Sequence, residues 1–353
     1  MCNDIIWGVN EKPLVSVIIV NLNGGQIFWN CLVFLSKIDY STCELIVVDN
    51  GSSDDSLQRL KNFKYSNVQV IKNSKNLGFA KASNQGYEES RGEYILLLNN
   101  DTRVEKDFLA KLIKRIEEDK KIGIIQPKIK LMDKPTHLDS VGSFLTRTGF
   151  LQHLGLLQKD SNKFNKEITI FSAKGACMLI RREVIERVGL FDNDYGSYME
   201  ETDFCWRVWL AGYKILYYPV AVIYHKVGFT SKKQNQILVN YNSFKNRIAT
   251  LYKNLNSTNL LLIGGTHLLI LFLMSLYYLL RFEFGKSIMI IKAIIWNIKN
   301  IKHLSLKRKK VQNEIRVKSD SEIFNNILKP IDWKSTFSHF VRAEKMLQGE
   351  HEI

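Results

Sequence analysis

The sequence lacks the features of a secreted, disulfide-bonded protein. Its five cysteines are odd in number and contain no Cys-x-x-Cys spacing, so neither a complete disulfide framework nor a zinc-finger site is expected. The amino terminus has no long apolar segment, and Asp4 and Glu11 lie where a cleaved signal would be apolar. We therefore expect the folded part of the chain to remain in the cytoplasm.

Two common nucleotide-binding motifs are also missing. The first predicted strand is followed at residues 21–25 by Asn-Leu-Asn-Gly-Gly, which is neither Gly-x-Gly-x-x-Gly nor a phosphate-binding loop with its lysine. A dinucleotide-binding domain and a phosphate-loop NTPase are therefore not supported. The glycines still permit a tight turn and a close approach of the backbone to a ligand.

The sequence has fewer acidic than basic residues, 35 against 50. A formal charge of +15 and a pI near 9.4 suit a polyanionic partner: nucleic acid, an anionic membrane surface or a phosphorylated ligand. Several basic residues, from Lys299 to Lys310, follow the most apolar part of the sequence without interleaved aromatics. This distribution favours a membrane surface over nucleic acid, although a solvated run of charge remains the alternative.

Residues 13–126 alternate between short apolar runs and helix-length segments. Strands are predicted at Leu14–Val20, Leu45–Asp49, Val68–Lys72 and Tyr94–Asn99. This alternation predicts an α/β fold with a mostly parallel sheet flanked by helices. Further along, we expect a helix from Thr202 to Leu210 and a strand from Tyr213 to Tyr218 that Pro219 stops.

Acidic residues occupy two places that are far apart in the chain. Asp101 follows the apolar run that begins at Tyr94, and Glu200, Glu201 and Asp203 lie together. Open α/β sheets bind ligands beyond the carboxyl ends of their strands. Mg²⁺ and Mn²⁺ prefer oxygen ligands of this kind, together with a diphosphate. The pattern therefore predicts an enzyme with a metal at Asp101 and a proton acceptor in the second cluster.

Some of these residues also have purely structural interpretations. Asp49 could form a turn or an N-cap, Asp101 could cap the helix after Glu105, and an isolated histidine such as His225 is commonly structural.

The apolar stretch Leu260–Leu280 contains no formal charge over 21 residues, enough to reach about 30 Å as a helix. A single crossing would put the basic residues opposite the catalytic domain, against the positive-inside tendency. We therefore favour a re-entrant or interfacial pair of helices, Leu260–Leu280 with Ile288–Ile298, over true spanning or a buried core helix. The expected regions are 13–250, a membrane-associating segment 251–310 and a helical tail 311–353.

Taken together, the motifs resemble those of the family-2 glycosyltransferases, and within them a rhamnosyltransferase-like subgroup. The segments that carry the resemblance are Val15–Asn21, Val48–Ser52, Leu98–Asp101, Gly175–Arg182 and Glu200–Arg207. The resemblance implies a GT-A fold over roughly residues 13–250. It also implies inverting transfer of a sugar, such as rhamnose from its dTDP form. The predicted membrane-adjacent helices and the basic residues after them suggest that the acceptor is a glycan or a polyprenyl-diphosphate-linked glycan at the cytoplasmic face of the membrane.

The resemblance assigns roles to particular residues. Glu201 is the expected catalytic base, and Asp101 with His225 is expected to hold Mn²⁺ or Mg²⁺. The residues expected to bind the nucleotide sugar are Val20, Asn21, Asn23, Asp49, Gly51, Asn76, Gly78, Phe79, Asn84, Asn99 and Asn100. The acceptor side is expected to include Gly175, Ala176, Glu200, Asp203 and Arg207.

Two positions depart from the family pattern. Asn99 replaces the first acid of the Asp-x-Asp metal motif, and Glu201 stands where aspartate is usual. These departures keep open a non-catalytic membrane-surface binding protein with the same fold, and a sugar-nucleotide pyrophosphorylase stays a second alternative because it uses a related sheet. The loop after the first strand lacks the basic residues that a pyrophosphorylase would need.

Overall fold

The computed structural model describes residues 12–61, 63, 67–228 and 236–331. The strands are β1 (Val15–Asn21), β2 (Cys43–Asp49), β3 (Val68–Lys72), β4 (Tyr94–Leu98), β5 (Thr102–Val104), β6 (Ile122–Leu131), β7 (Leu138–Ser140), β8 (Gly142–Leu145), β9 (Leu151–Leu154), β10 (Ile168–Thr169), β11 (Cys177–Arg181) and β12 (Lys214–His225). The helices are α1 (Gly25–Leu35), α2 (Ser56–Lys61), α3 (Phe79–Glu88), α4 (Phe108–Glu117), α5 (Arg182–Val188), α6 (Glu200–Leu210), α7 (Gln236–Asn254), α8 (Ser257–Asn259), α9 (Gly265–Leu280), α10 (Phe284–Lys299), α11 (Ile301–Lys310) and α12 (Asp320–Ile327).

Ten of the strands form one sheet, whose main path runs β10-β12-β6-β11-β4-β1-β2-β3. The first four strands in the chain pair in parallel, and β1 and β4 are buried along most of their length because helices cover both faces. Their carboxyl ends, at Asn21, Asp49 and Leu98, therefore lie along one edge of the sheet. The predicted α/β architecture with a sheet flanked by helices is confirmed.

The other half of the sheet is mixed, because β11 runs antiparallel to both β4 and β6. The prediction that Pro219 ends the last strand is wrong, because β12 continues to His225. Its pairing with β6 shifts register between Tyr218 and Val222, so Pro219 lies at an irregularity, where a missing N–H costs no ladder hydrogen bond. The predicted start of α6 is also two residues late, since the helix begins at Glu200.

The carboxyl-terminal helices pack around α7, which contacts α6, α10 and α11. The predicted boundary at residue 250 falls inside α7. The last part of the predicted tail, residues 332–353, lies outside the described residues. Of the predicted basic segment, Lys307 pairs with Asp192 and Asp194, and Arg308 donates to the carbonyls of Tyr252 and Leu255.

Helices α9 and α10 form an antiparallel hairpin joined by the Ser275–Ser287 hydrogen bond. Within the described ranges, one helix, Ser257–Leu280, is long and apolar enough to cross a membrane. Only 28% of its most apolar window is buried. Large apolar side chains cover its outer face, including Leu261, Leu269 and Phe272, which are 58–77% exposed. The helix Ser257–Leu280 thus presents a wide, exposed apolar surface.

Candidate active site

A cleft of about 310 Å³ opens at the carboxyl edge of the parallel strands. The predicted residues that line it are Val20, Asn76, Phe79, Asn99, Asn100, Asp101, Gly175, Ala176, Glu200, Glu201 and His225. The two acidic clusters identified in the sequence therefore share one cavity, with Asp101 delivered by the end of β4 and Glu201 by the start of α6.

Two asparagines and an aspartate from three strand ends support the floor of this cleft. Asn100 donates to Asn21 Oδ1 at 2.8 Å, and the Asn21 amide donates to Asp49 at 3.2 Å. The other oxygen of Asp49 accepts the backbone N–H of Ser52 at 3.1 Å. Asp49 is buried and lies beneath the cleft instead of lining it. Its predicted contact with a base or ribose stays a prediction.

The loop after β3 forms one wall. Asn50 lines the cleft, and its amide donates to Asn76 Oδ1 at 2.9 Å while its Oδ1 accepts the Leu77 N–H at 3.0 Å. Gly78 has a φ of +86°, and a Cβ there would lie 2.8 Å from the backbone of Gly196. Only glycine lets the two loops approach so closely, which places Phe79 at the cleft.

A chain of charged side chains runs from Asp101 into the protein. His225 Nε2 lies 3.2 Å from Asp101 Oδ1, and His225 Nδ1 lies 2.9 Å from Asp139 Oδ2. Lys174 Nζ lies 3.2 Å from the other oxygen of Asp139. Burial opposes protonation of His225, but the two carboxylates outweigh it and raise its pKa to about 9. Although burial alone would raise the pKa of Asp139, Lys174 and His225 hold it below its usual value.

Asp101 and His225 suit a divalent cation only in part. Asp101 Oδ1 is buried and faces His225 Nε2 at 3.2 Å, so a cation held between these two atoms would take the place of the histidine proton. No group of three or more His, Cys, Asp or Glu side chains is arranged for a metal in the part of the chain that the structure describes. One carboxylate and one imidazole therefore fit a metal that takes its remaining ligands from a diphosphate and water.

Two glutamates at the start of α6 line the same cleft. Glu200 and Glu201 each have an Oε2 without a hydrogen bond among the described residues. Burial raises the pKa of Glu200 well above its ordinary value, and the Glu201 charge adds to the rise. Burial also raises the pKa of Glu201, while the backbone N–H groups at the helix start and Lys174 oppose it. Glu201 is thus the better candidate for an ionised base.

The loop before α6 is strained. Tyr198 and Met199 both have a φ of 71°, in the left-handed region that non-glycine residues rarely adopt. The buried Asn246 of α7 holds this loop, because its amide donates to the carbonyls of Tyr195, Ser197 and Tyr198 at 2.6–3.1 Å. Helix α7 therefore fixes the position at which α6 presents its glutamates.

The remaining predicted residues lie outside the lining of the cleft. Asn84 holds the Phe191 backbone through both its amide atoms. Asp203 is fully buried and accepts from Arg207, Lys253 and Asn254, so it fastens α6 to α7. The others outside the lining are Asn21, Asn23, Gly51, Gly78 and Arg207.

Several site residues had escaped the sequence-based prediction. Asn50 and Lys174 line the cleft next to predicted residues, so proximity to the motifs could have found them. Asp139 and Asn246 lie in segments without a recognisable motif, and their roles depend on contacts with residues distant in sequence.

Residues 16–189 match the family described as Glycosyl transferase family 2. This range includes Asp101 and the polar strand-end loops that line the cleft, and the match shows that the chain carries a glycosyltransferase domain. The predicted enzyme class is thereby confirmed.

Among relatives, the chain is 23% identical over 236 residues to a poly-beta-1,6-N-acetyl-D-glucosamine synthase of Staphylococcus aureus (strain COL), covering 64% of this chain. It spans 55% of the length of that relative. Two solved structures share the fold. One is GalNAc-T7 with UDP, GalNAc and Mn²⁺, at TM-score 0.55 and 17% identity, covering 69% of this chain and 48% of the other. The second is a mannosyltransferase from Pyrobaculum calidifontis with GDP-Man and Mn²⁺, at TM-score 0.52 and 16% identity, covering 84% and 90%. The predicted GT-A type of fold is confirmed by these likenesses.

Proposed function

We propose that the protein is an inverting glycosyltransferase that moves a sugar from a nucleoside diphosphate to the hydroxyl of a glycan acceptor. The observation that carries this proposal is the shared cleft of about 310 Å³, which is lined by Asp101, by Asn99 and Asn100 after β4, and by Glu201. Such a cleft can hold the diphosphate on one side and the acceptor on the other.

In this mechanism the acceptor oxygen attacks the anomeric carbon as Glu201 removes its proton. The new carbon–oxygen bond forms on one face of the sugar while the bond to the diphosphate oxygen breaks on the other. The leaving nucleoside diphosphate keeps the electron pair, and the configuration at the anomeric carbon inverts. Lys174 lies in the same cleft and can neutralise part of the developing charge.

Asp101 and His225 would hold Mn²⁺ or Mg²⁺ together with the donor diphosphate. When bound, the cation supplies positive charge to the leaving group. Asp139 holds the His225 ring through Nδ1, which leaves Nε2 directed to the Asp101 side. Mn²⁺ in the two structurally similar glycosyltransferases supports this assignment.

We further propose rhamnose from its dTDP form as the donor, because the motifs resemble the rhamnosyltransferase-like subgroup. The proposed acceptor is a polyprenyl-diphosphate-linked glycan at the cytoplasmic face of the membrane. The exposed apolar hairpin of α9 and α10, and the exposed Lys299 and Lys302 beside it, support an interfacial attachment.

The decisive experiment combines donor binding with turnover. Nucleotide sugars are screened, with Mn²⁺ and Mg²⁺, for protection of the full chain against thermal unfolding, since a ligand of the native state raises its apparent stability. The stabilising donor is then offered to wild type, E201A and E186A. Glu186 lies on α5, away from the cleft, and serves as a matched control.

We expect E201A to lose transfer by at least about 100-fold while its donor affinity is retained, because removing a general base costs roughly 10²–10⁴ in rate. E186A should keep both. Unchanged turnover in E201A would refute the assigned base. Donor binding with no transfer in wild type, to any glycan acceptor or to water, would favour the non-catalytic alternative.

A further inference from the structure

A lone guanidinium lies beside the strained loop that precedes α6. Arg247, on α7, directs Nη2 to within 4.0 Å of Met199 Sδ, and its Cζ lies 4.8 Å from the ring centroid of Phe150. Met199 directly precedes Glu200, and Tyr198 lines the active-site cleft. Arg247 is therefore adjacent to the acceptor wall, on its α7 side.

No acidic side chain pairs with Arg247 among the described residues, and its Nε is shielded from solvent without a hydrogen bond there. The neighbouring cations are compensated: Lys253 Nζ lies 2.6 Å from Asp192, and Arg207 pairs with Asp203. Burial lowers the pKa of Arg247 to about 10. An uncompensated, desolvated cation is costly to maintain, which indicates that its anion comes from a ligand.

The ring of Phe150 connects this guanidinium to His267, which lines an apolar cavity of about 600 Å³. The Phe150 ring lies 4.6 Å from the ring of His267, which lines the cavity together with Ile248, the residue after Arg247. His267 Nε2 is buried without a hydrogen bond among the described residues. The cavity is bounded by Leu261 and Leu268, which are 77% and 42% exposed and belong to the apolar outer face of the hairpin.

We infer that Arg247 and this cavity form a binding site for an anionic amphiphile, with its phosphate on Arg247 and its hydrocarbon chain in the cavity. The charge complementarity and the opening towards the apolar face together select such a ligand over a free phosphate or a neutral lipid. This inference rests on the proposed function in one respect: the amphiphile is the acceptor, whose glycan extends past Met199 towards Glu201.

The test measures direct binding by the full chain in mild neutral detergent. Farnesyl phosphate is the probe, and farnesol and inorganic phosphate separate the contribution of the chain from that of the anion. We expect farnesyl phosphate to bind at least tenfold more tightly than either fragment. R247M should weaken it about 10- to 100-fold, as expected for the loss of charge-assisted hydrogen bonds.

R247K and K302M are the controls. R247K keeps the charge and should recover most of the affinity, whereas K302M removes an exposed basic residue of α11 and should leave it within twofold. R247M should unfold at the same temperature as wild type or higher, because it removes a half-buried charge that has no acidic partner among the described residues. Instability of R247M, with no loss of affinity in the folded fraction, would indicate a structural role and overturn the inference.

Failure of this inference and failure of the proposed function are separable. Equal binding of farnesyl phosphate by wild type and R247M overturns the amphiphile site even if sugar transfer is measured. Arg247-dependent binding without any sugar transfer supports the site and refutes the proposed transferase activity.

Discussion

Replacing Asn246 with alanine tests how the strained loop before α6 controls the active site. In the folded protein the Asn246 amide donates to the carbonyls of Tyr195, Ser197 and Tyr198, at 3.0, 3.1 and 2.6 Å. Its two hydrogens can make two strong bonds, and the third contact is shared. Removing them from a fully buried position should lower the free energy of unfolding by about 2 to 3 kcal/mol.

The larger effect should be on turnover. Tyr198 and Met199 store roughly 1–3 kcal/mol of backbone strain each, which the loop can release once Asn246 no longer holds it. Glu201 then moves with the start of α6, and a displacement of about 1 Å costs on the order of 10²-fold in rate. Donor affinity should change little, since the Asn246 amide donates to the loop carbonyls of Tyr195, Ser197 and Tyr198 and not to Asn50, Asn100 or Asp101.

Asn297 offers a matched control. It is also buried, donates to two backbone carbonyls, those of Lys245 and Ala293, and has an Oδ1 without a partner among the described residues. N297A should cost about 1 to 2 kcal/mol of stability without loss of turnover. Urea unfolding measures the stability of both variants, and initial rates with the identified donor measure their turnover. If N246A and N297A lose activity equally, or if N246A keeps wild-type turnover, the loop does not act as described.

Three further results are expected. The acid limb of the kcat/KM profile should lie above the ordinary pKa of a glutamate, because burial raises the pKa of Glu201 and the base must be ionised. K174M should shift this limb to still higher pH, because Lys174 lowers the pKa of Glu201. A shift to lower pH in K174M would contradict the assignment. G78A should cost at least about 1 kcal/mol in thermal or urea unfolding, since its φ of +86° disfavours any side chain and a Cβ would meet Gly196; an unchanged stability would show that the loops can separate freely. F272S should reduce sedimentation with anionic vesicles without affecting donor binding, because Phe272 is 63% exposed on the apolar face of α9; full retention on vesicles would argue against the hairpin as the attachment.

The parallel half of the sheet could be predicted because its determinants are local. Buried parallel strands appear as short β-branched runs, and helix starts follow them at regular intervals, so periodicity alone locates them. The end of β12 could not be predicted in this way. Pro219 normally ends a strand, but pairing with β6, distant in sequence, places it at an irregularity and carries the strand on to His225.

The sequence by itself determined that Asp101 follows a buried strand, at a ligand-binding position of an α/β fold, and that Glu201 lies next to the start of a helix. Only the tertiary structure decided which side chains support them. Asp139 contacts His225 across 86 residues, and Asn246 holds Tyr198 across 48. Arg247 likewise has no acidic partner among the described residues, and this is a property of the folded state because it depends on packing and not on a local pattern in the chain.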